Sequence, residues 1–172
     1  MRQSVRGFAG FAIYLAASFV VRAQDVPQEL QPPGNEQLLV QVHGTGTQNY
    51  VCKADGAKFT WTLKGVDAQL TEKDGKAFGK HFTGPSWEAL DGSRVTGKAT
   101  ANAPSRDANS IPWLLITVVS HSGNDGKLSK VTSIQRLNTK RGKAPATGCV
   151  KENVDHEVQV PYSADYLFFA PK

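Results

Sequence analysis

Four Asp-Gly pairs constrain the fold of this chain most strongly, because each is flanked by extended, alternating sequence. They are Asp55-Gly56, Asp74-Gly75, Asp91-Gly92 and Asp125-Gly126. Glycine adopts the positive φ angles of tight hairpin turns without steric cost, so an Asp-Gly pair between alternating segments is a strong hairpin signal. The sequence therefore predicts hairpin turns at these four places.

Apolar and polar residues alternate between these turns with the period of two that is typical of a strand with one buried face. The pattern covers 58–64 and 66–71 and returns from Arg94 to Ala101. The chain after its leader shows no helical period. We therefore predict an all-β fold, a single antiparallel β-barrel or β-sandwich built from sequential hairpins, with little or no helix in the mature chain.

The segment from Ile111 to Val119 departs from this pattern because it is apolar on both faces. Such a strand needs cover on both sides. We expect the N-terminal arm or the long loop after Asn138 to pack on its outer face. The segment from Lys127 to Leu137 is expected to pair with it across a turn at Asn124-Asp125-Gly126.

Residues 1–23 have the pattern of a cleaved signal peptide. Arg2 and Arg6 precede an apolar run from Phe8 to Val21, and Val21-Arg22-Ala23 offers small residues at the two positions that a signal peptidase reads. The run is shorter than the roughly 20 residues of a permanent anchor, and no second hydrophobic segment follows. We expect an exported mature chain, periplasmic or extracellular, without a stable membrane span.

Residues 24–36 are predicted to form an extended N-terminal arm, because they are rich in Gln and Pro and lack periodicity. A single β-domain is predicted to span 37–172. It is expected to open with two short strands, 37–42 and 47–53, separated by a loop at Gly44-Thr45-Gly46.

Removal of the signal peptide changes the charge balance. The full chain has twenty Lys and Arg residues and fifteen Asp and Glu residues, a net charge of +5. Arg2, Arg6 and Arg22 precede residue 24 and no acidic residue does, so the mature chain keeps seventeen basic and fifteen acidic residues, or +2. This small excess argues against nucleic acid as a partner.

Cys52 and Cys149 are the two cysteines of the chain, and in an exported protein they are predicted to form one disulfide bond. The alternative, a metal or catalytic pair, is less favoured because neither has a His or a second Cys at ligand spacing. The histidines are also scattered: His43, His81, His121 and His156. No metal site, dinucleotide motif or serine hydrolase elbow follows, so no cofactor is predicted.

Seven motifs occur in order along the mature chain. They are Gln48-x-Tyr50-x-Cys52, His81-x-x-Gly84-Pro85-x-Trp87-Glu88, Asp91-Gly92-Ser93-x-Val95-x-Gly97, Ile111-Pro112-Trp113-Leu114-Leu115, Val131-Thr132-x-Ile134-Gln135-Arg136, Ala144-Pro145-x-x-Gly148-Cys149 and Val160-Pro161-Tyr162-Ser163-Ala164-Asp165-Tyr166. Together they resemble the exported bacterial and fungal family catalogued as domain of unknown function 3455. The resemblance covers nearly the whole mature chain and implies one secreted domain with a shared architecture, but no activity. The chain departs from the family at Thr139-Lys140-Arg141-Gly142, where paired glycines are more usual.

The stretch from Lys80 to Lys98 gathers the most varied side chains of the chain. His81, Glu88 and Asp91 could supply a general acid and base. The alternative is structural: Asp91 makes the turn, Glu88 is solvated, and His81 hydrogen-bonds across strands.

Trp87 and Tyr162 are candidate binding aromatics among six large rings that could line a ligand site, and Trp87 is favoured because it lies beside a Gly-Pro turn and an acid. The alternative is that these rings pack in the core. Arg136 lies on a strand next to a strongly apolar neighbour and needs a polar partner. A pair with Asp165 or Glu88 would be structural, whereas an Arg136 without such a partner at a cavity mouth would clamp an anion or carboxylate.

The sequence favours non-catalytic binding of a small molecule, an envelope glycan or a protein, because aromatic and charged residues cluster without a complete catalytic constellation. The expected contacts are His81, Trp87, Glu88, Arg136 and Tyr162. One alternative is an exported hydrolase or lyase that uses His81 with Glu88 or Asp91. Another is a periplasmic protein-protein module of the inhibitor type, by architectural analogy.

Overall fold

The computed structural model describes residues 26–172, so the predicted signal peptide lies outside the described residues. Eight strands make up most of this segment. They are β1 (Glu36–Asp55), β2 (Lys58–Glu72), β3 (Ala77–Phe82), β4 (Ser86–Ala89), β5 (Ser93–Ala103), β6 (Trp113–Gly123), β7 (Ser133–Arg141) and β8 (Glu157–Pro171). Each strand pairs antiparallel with its sequence neighbours, and β8 pairs back with β1, so the sheet closes into a barrel. The all-β prediction is confirmed, and helix in the described segment is limited to 3₁₀ turns at Gln28–Leu30 and Lys151–Asn153.

Three of the four predicted Asp-Gly turns join successive strands. Asp55-Gly56 joins β1 to β2, Asp74-Gly75 joins β2 to β3, and Asp91-Gly92 joins β4 to β5. The three glycines have φ angles of 59°, 84° and 84°, in the left-handed region where a side chain would be strained.

The predicted tight hairpin at Asp125-Gly126 is wrong, because the connection between β6 and β7 spans 124–132. The Asp91-Gly92 turn between β4 and β5 contacts this connection and keeps it out of strand pairing. The Lys127 backbone N–H donates to the Asp91 carboxylate at 2.8 Å, and the Leu128 side chain is fully buried in the barrel core. These contacts replace the strand pairing that the sequence pattern predicted.

The predicted loop at Gly44-Thr45-Gly46 is also wrong, because β1 is continuous through it. The glycines serve close packing instead of a turn. A Cβ on Gly44 would lie 2.7 Å from a ring carbon of Tyr166, and one on Gly46 would lie 2.0 Å from the Asp67 carbonyl oxygen. Glycine at these positions lets the strands and the interior rings approach closely.

The barrel interior is filled by apolar and aromatic side chains, including Phe78, Trp87, Tyr166 and Phe168. The predicted disulfide is present and links Cys52 at the end of β1 to Cys149 in the connection before β8. The bond therefore ties an early strand to the last part of the chain.

The outer face of β6 is covered at Trp113 and Leu115, whereas Val119 is 61% exposed, so the predicted cover extends over only the first part of the apolar run. The cover is the N-terminal segment: Leu30 is fully buried and packs with Ala103, Trp113 and Leu137 in a second apolar cluster. The Gln135 side-chain amide donates to the Leu30 carbonyl at 2.6 Å and anchors the segment. Residues 28–30 form a 3₁₀ turn at this contact.

Candidate functional site

The barrel wall is incomplete beside the short hairpin of β3 and β4. β3 pairs with β2 only from Asp67 onward, and β4 pairs with β5 only as far as Thr96. Among the described residues, 58–66 of β2 and 98–103 of β5 therefore have a strand neighbour on one side only. The resulting gap lies next to the Thr83-Gly84-Pro85 turn.

A pocket of about 270 Å³ lies at this gap and includes inner-face side chains of the barrel in its lining. We call it the notch pocket. Its lining residues are Gln48, Leu63, Lys64, Gly65, Val66, His81, Thr83, Gly84, Pro85, Leu114 and Arg136. Two of these side chains are cationic and none is acidic, so the fixed charge of the lining is positive.

Arg136 faces the interior at one side of the notch pocket. It lies between Leu114 on β6 and Tyr166 on β8 in the strand register. Its Nη2 and Nε donate to the Pro112 carbonyl at 2.8 and 3.3 Å. No carboxylate within residues 26–172 forms an ion pair with it. Of the two predicted arrangements, Arg136 therefore has the one without an acidic partner at a cavity.

His81 is 3% exposed, and its ring stacks on Trp87 with centroids 4.3 Å apart and the planes nearly parallel. Nδ1 lies 2.9 Å from the Ser86 carbonyl oxygen, which can only accept, so Nδ1 carries the proton. Burial lowers the pKa of His81 from 6.5 to about 4, and the nearby Arg136 charge lowers it further against the effect of the Ser86 bond. The ring is therefore neutral at pH 7.

The neutral His81 ring has one unpaired acceptor, Nε2. The described residues provide no hydrogen bond to it. It is not sealed in the core either, because the only fully buried side-chain N or O atoms without a partner in the described segment are the indole nitrogens of Trp87 and Trp113. His81 lines the notch pocket, so Nε2 is the ring acceptor that a ligand there could use.

Two tyrosine hydroxyls of the inner face, those of Tyr162 and Tyr166, lie near Arg136. The Tyr162 and Tyr166 hydroxyls are 3.0 Å apart. Burial raises the pKa of both tyrosines, and for Tyr162 the neighbouring Tyr166 raises the pKa as well. Gln48 is 3% exposed and lies close enough to Tyr162 to affect its pKa. Tyr162 is thus a buried support of the site and does not line the pocket.

The other predicted site residues lie elsewhere. Glu88 follows Trp87 in β4 and faces outward, because successive side chains of a strand alternate between faces. It binds Arg94 at 2.9 Å and Lys80 at 3.4 Å, and these bonds, Arg94 first, lower the pKa of its carboxyl. His81 and Glu88 are therefore not brought together in one cavity.

Asp91 organises a turn at the end of β4. Its carboxylate accepts from the backbone N–H groups of Ser93 and Lys127 at 2.9 and 2.8 Å and from the Ser93 hydroxyl at 2.6 Å. These bonds, led by that from Lys127, lower the pKa of Asp91. The Asp91 carboxylate is therefore engaged in structural hydrogen bonds and does not face the notch pocket.

Trp87 is 1% exposed and belongs to the barrel core. It supports the notch pocket through the stacked ring of His81. Sequence reasoning missed Gln48, although a signal was present: Gln48 has the same strand parity as the inward Tyr50, so a polar side chain on the inner face was predictable. Within residues 26–172, no group of three His, Cys, Asp or Glu side chains could hold a metal ion.

These features define the class of protein. It is an antiparallel closed barrel with a pocket in its wall, and an arginine side chain and a neutral histidine line that pocket. The chain belongs to the family described as protein of unknown function (DUF3455), whose model matches residues 32–170. No curated protein and no solved structure matches the chain. The helical segments within 26–172 are all too short or too polar to cross a membrane.

Proposed function

We propose that this protein is an exported, non-catalytic binding domain that takes a small molecule into the notch pocket. In this proposal residues 1–23 are removed on export, 24–36 form the arm, and 37–172 form the binding domain. The observation that carries the proposal is Arg136, a cation that lines a cavity and has no acidic partner within the described residues. Arg136 is half-buried, and its guanidinium has N–H donors beyond the two that bond to Pro112, so an anion in the pocket could pair with it.

The lining supports binding of a small organic molecule. Apolar side chains of Leu63, Val66, Pro85 and Leu114 border the cavity. A few polar groups, Gln48, His81 and Arg136, are placed among them. Ligand sites are typically apolar cavities with a small number of oriented polar groups.

The same geometry supports binding over hydrolysis with His81 and a carboxylate. Proton transfer needs the acid and base within hydrogen-bond reach of the reacting group. Glu88 faces away from the pocket toward Lys80 and Arg94, and Asp91 is engaged in its turn. His81 would act without either of them.

The test is thermal unfolding of the mature chain, from Gln24, against sugars, cell-wall fragments, fatty acids, aromatic metabolites and small carboxylic acids. A ligand that binds only the folded state raises the stability by about 2.7 kcal/mol at a hundredfold excess over its Kd. We expect one class to raise the unfolding midpoint of the wild type.

Two matched variants locate the binding. Leu63 is 54% exposed and lines the notch pocket, whereas Leu90 is 74% exposed and lies outside it. Leu63→Trp should narrow the pocket and remove the shift, and Leu90→Trp should keep it. A panel without any shift, or a shift that Leu63→Trp leaves intact, would overturn the proposal and direct the search to protein partners.

A further inference from the structure

We propose that the ligand of the notch pocket is a small organic carboxylate that also carries a hydroxyl group, bound through Arg136 and His81. This inference rests on the proposed function and names the chemical class of its ligand.

The charge of the lining selects an anion. Arg136 and Lys64 both line the pocket, and the lining contains no Asp or Glu. Lys64 also forms an ion pair with Glu157 at the surface, which leaves Arg136 as the cation without an acidic partner. A carboxylate is the anion whose two oxygens match a guanidinium edge.

The Arg136 guanidinium is held in one orientation. Nε and Nη2 donate to the Pro112 carbonyl, and Arg136 lies near enough to the Tyr166 hydroxyl to lower the pKa of that group against the larger effect of burial. A guanidinium has more N–H donors than these contacts use. A held cation with spare donors loses little side-chain entropy when a ligand binds.

His81 adds a requirement that a simple anion does not meet. Its Nδ1 donates to the Ser86 carbonyl, so the available Nε2 can only accept a hydrogen bond. A carboxylate oxygen has no proton to give near pH 7. The partner of Nε2 is therefore a second group of the ligand that donates, for which a hydroxyl is the simplest choice.

The cavity volume limits the size of the ligand. At about 270 Å³ the notch pocket lies below the roughly 300–1,000 Å³ range of sites for drug-sized ligands. The apolar part of the lining, formed by Leu63, Val66, Pro85 and Leu114, fits a short hydrocarbon or single-ring body. A monocarboxylate with one ring satisfies these limits.

The experiment uses two isomeric probes, mandelate and 4-hydroxyphenylacetate, with phenylacetate as the analogue that lacks the hydroxyl. The methyl esters of all three are the neutral controls. Titration calorimetry near pH 7 with the oxidised mature chain should show at least one hydroxy acid binding about tenfold or more tightly than its ester and than phenylacetate.

Arg136→Gln removes the charge and should make acid and ester bind equally, whereas Arg136→Lys should keep part of the preference for the acid. Lys73→Gln, at an exposed lysine outside the notch pocket, should leave the preference unchanged. If Arg136→Gln fails to fold, the acid-to-ester ratio of the wild type still decides the question. The carboxylate inference would be overturned, and the proposed function would stand, if the esters bound as well as the acids. The same conclusion would follow if a neutral compound bound to the wild type and to Arg136→Gln but not to Leu63→Trp. Failure of every compound, including the broad panel, would overturn both.

Discussion

His81, Glu88 and Asp91 lie in one short stretch of sequence, yet the fold places each in a different environment. His81 is buried against Trp87, and Glu88 lies between Lys80 and Arg94 at the surface. Asp91 accepts hydrogen bonds from the start of β5 and from the loop after β6. At the scale of single residues, the role of each side chain follows from its partners and burial. The residue type alone permitted a catalytic role for all three.

His81 should make the stability of the protein fall in acid. Its folded-state pKa is about 4 against an ordinary 6.5, so the unfolded chain takes up a proton first as the pH falls. The stability conferred by the neutral ring is full above pH 6.5 and is lost as the pH falls toward 4. One pKa unit corresponds to about 1.4 kcal/mol, so wild type should lose about 3 kcal/mol more than His81→Gln between pH 7 and pH 4.

This comparison is made by urea unfolding of both proteins across the pH range. The Asp and Glu carboxyls titrate in both proteins, so their contribution cancels in the difference between the two free energies of unfolding. A difference between wild type and His81→Gln that stays constant from pH 7 to pH 4 would contradict the prediction.

Asp91→Ala should destabilise the fold. The carboxylate joins the turn between β4 and β5 to the loop after β6 through Ser93 and Lys127, and it lies at the surface. We expect a loss of about 1–2 kcal/mol in the free energy of unfolding, measured in denaturant.

Asp125→Ala is the matched control, because Asp125 is an exposed aspartate of the neighbouring loop. Its substitution should change the stability by less than about 0.5 kcal/mol. Equal effects of the two substitutions would show that the hydrogen bonds of Asp91 do not hold the loop.

At the scale of elements, β6 shows how one strand depends on a segment far away in sequence. Its inner face packs in the barrel, and the first part of its outer face is covered by Leu30 and the residues around it. The apolar run from Ile111 to Val119 predicted that cover was needed. It left two candidates for the cover, and the packing of Leu30 on Trp113 decided between them.

Leu30→Ala should therefore cost about as much as a core substitution, although Leu30 lies near the N-terminus. Truncation of a fully buried leucine to alanine lowers the free energy of unfolding by about 2–5 kcal/mol. Leu30 is fully buried and Leu90 is 74% exposed, so Leu90→Ala should leave the unfolding midpoint almost unchanged. If Leu30→Ala were equally silent, the arm would not be part of the cooperative fold.

At the scale of the whole molecule, two long-range links close the structure. β1 and β8 pair along most of their length, and the disulfide joins residues 97 positions apart. Both links connect the first part of the chain to the last. The closed sheet leaves no free edge along β1 and β8, while the short β3–β4 hairpin leaves the gap that holds the notch pocket.

Reduction of the disulfide should lower the stability strongly, because a long loop regains conformational entropy in the unfolded chain. The chain-entropy relation gives about 4.7 kcal/mol for a loop of this length, taken from the separation of 97 residues. Denaturant unfolding with and without dithiothreitol measures the loss, and the double variant Cys52→Ala with Cys149→Ala should not respond to the reductant. A loss below about 1 kcal/mol would contradict the prediction.

Sequence by itself determined the all-β class, three of the four hairpin turns, the disulfide and the need for cover over the start of β6. These features depend on alternation, on the φ angle that glycine permits and on the presence of only two cysteines, all of which are local or countable. The pattern failed at Gly44 to Gly46 and at Asp125-Gly126, where packing against Tyr166 and the hydrogen bonds of Asp91 overrode the local preference.

Only the tertiary structure decided which side chains form the site. Gln48, His81 and Arg136 lie on β1, β3 and β7 and meet at one cavity because the sheet closes on itself. Alternation predicts which face of a strand a residue occupies, but it contains no information about which strands lie across the interior or where the wall is open. That is why Arg136 was a candidate from the sequence, while its lack of an acidic partner and its place beside His81 had to come from the closed barrel.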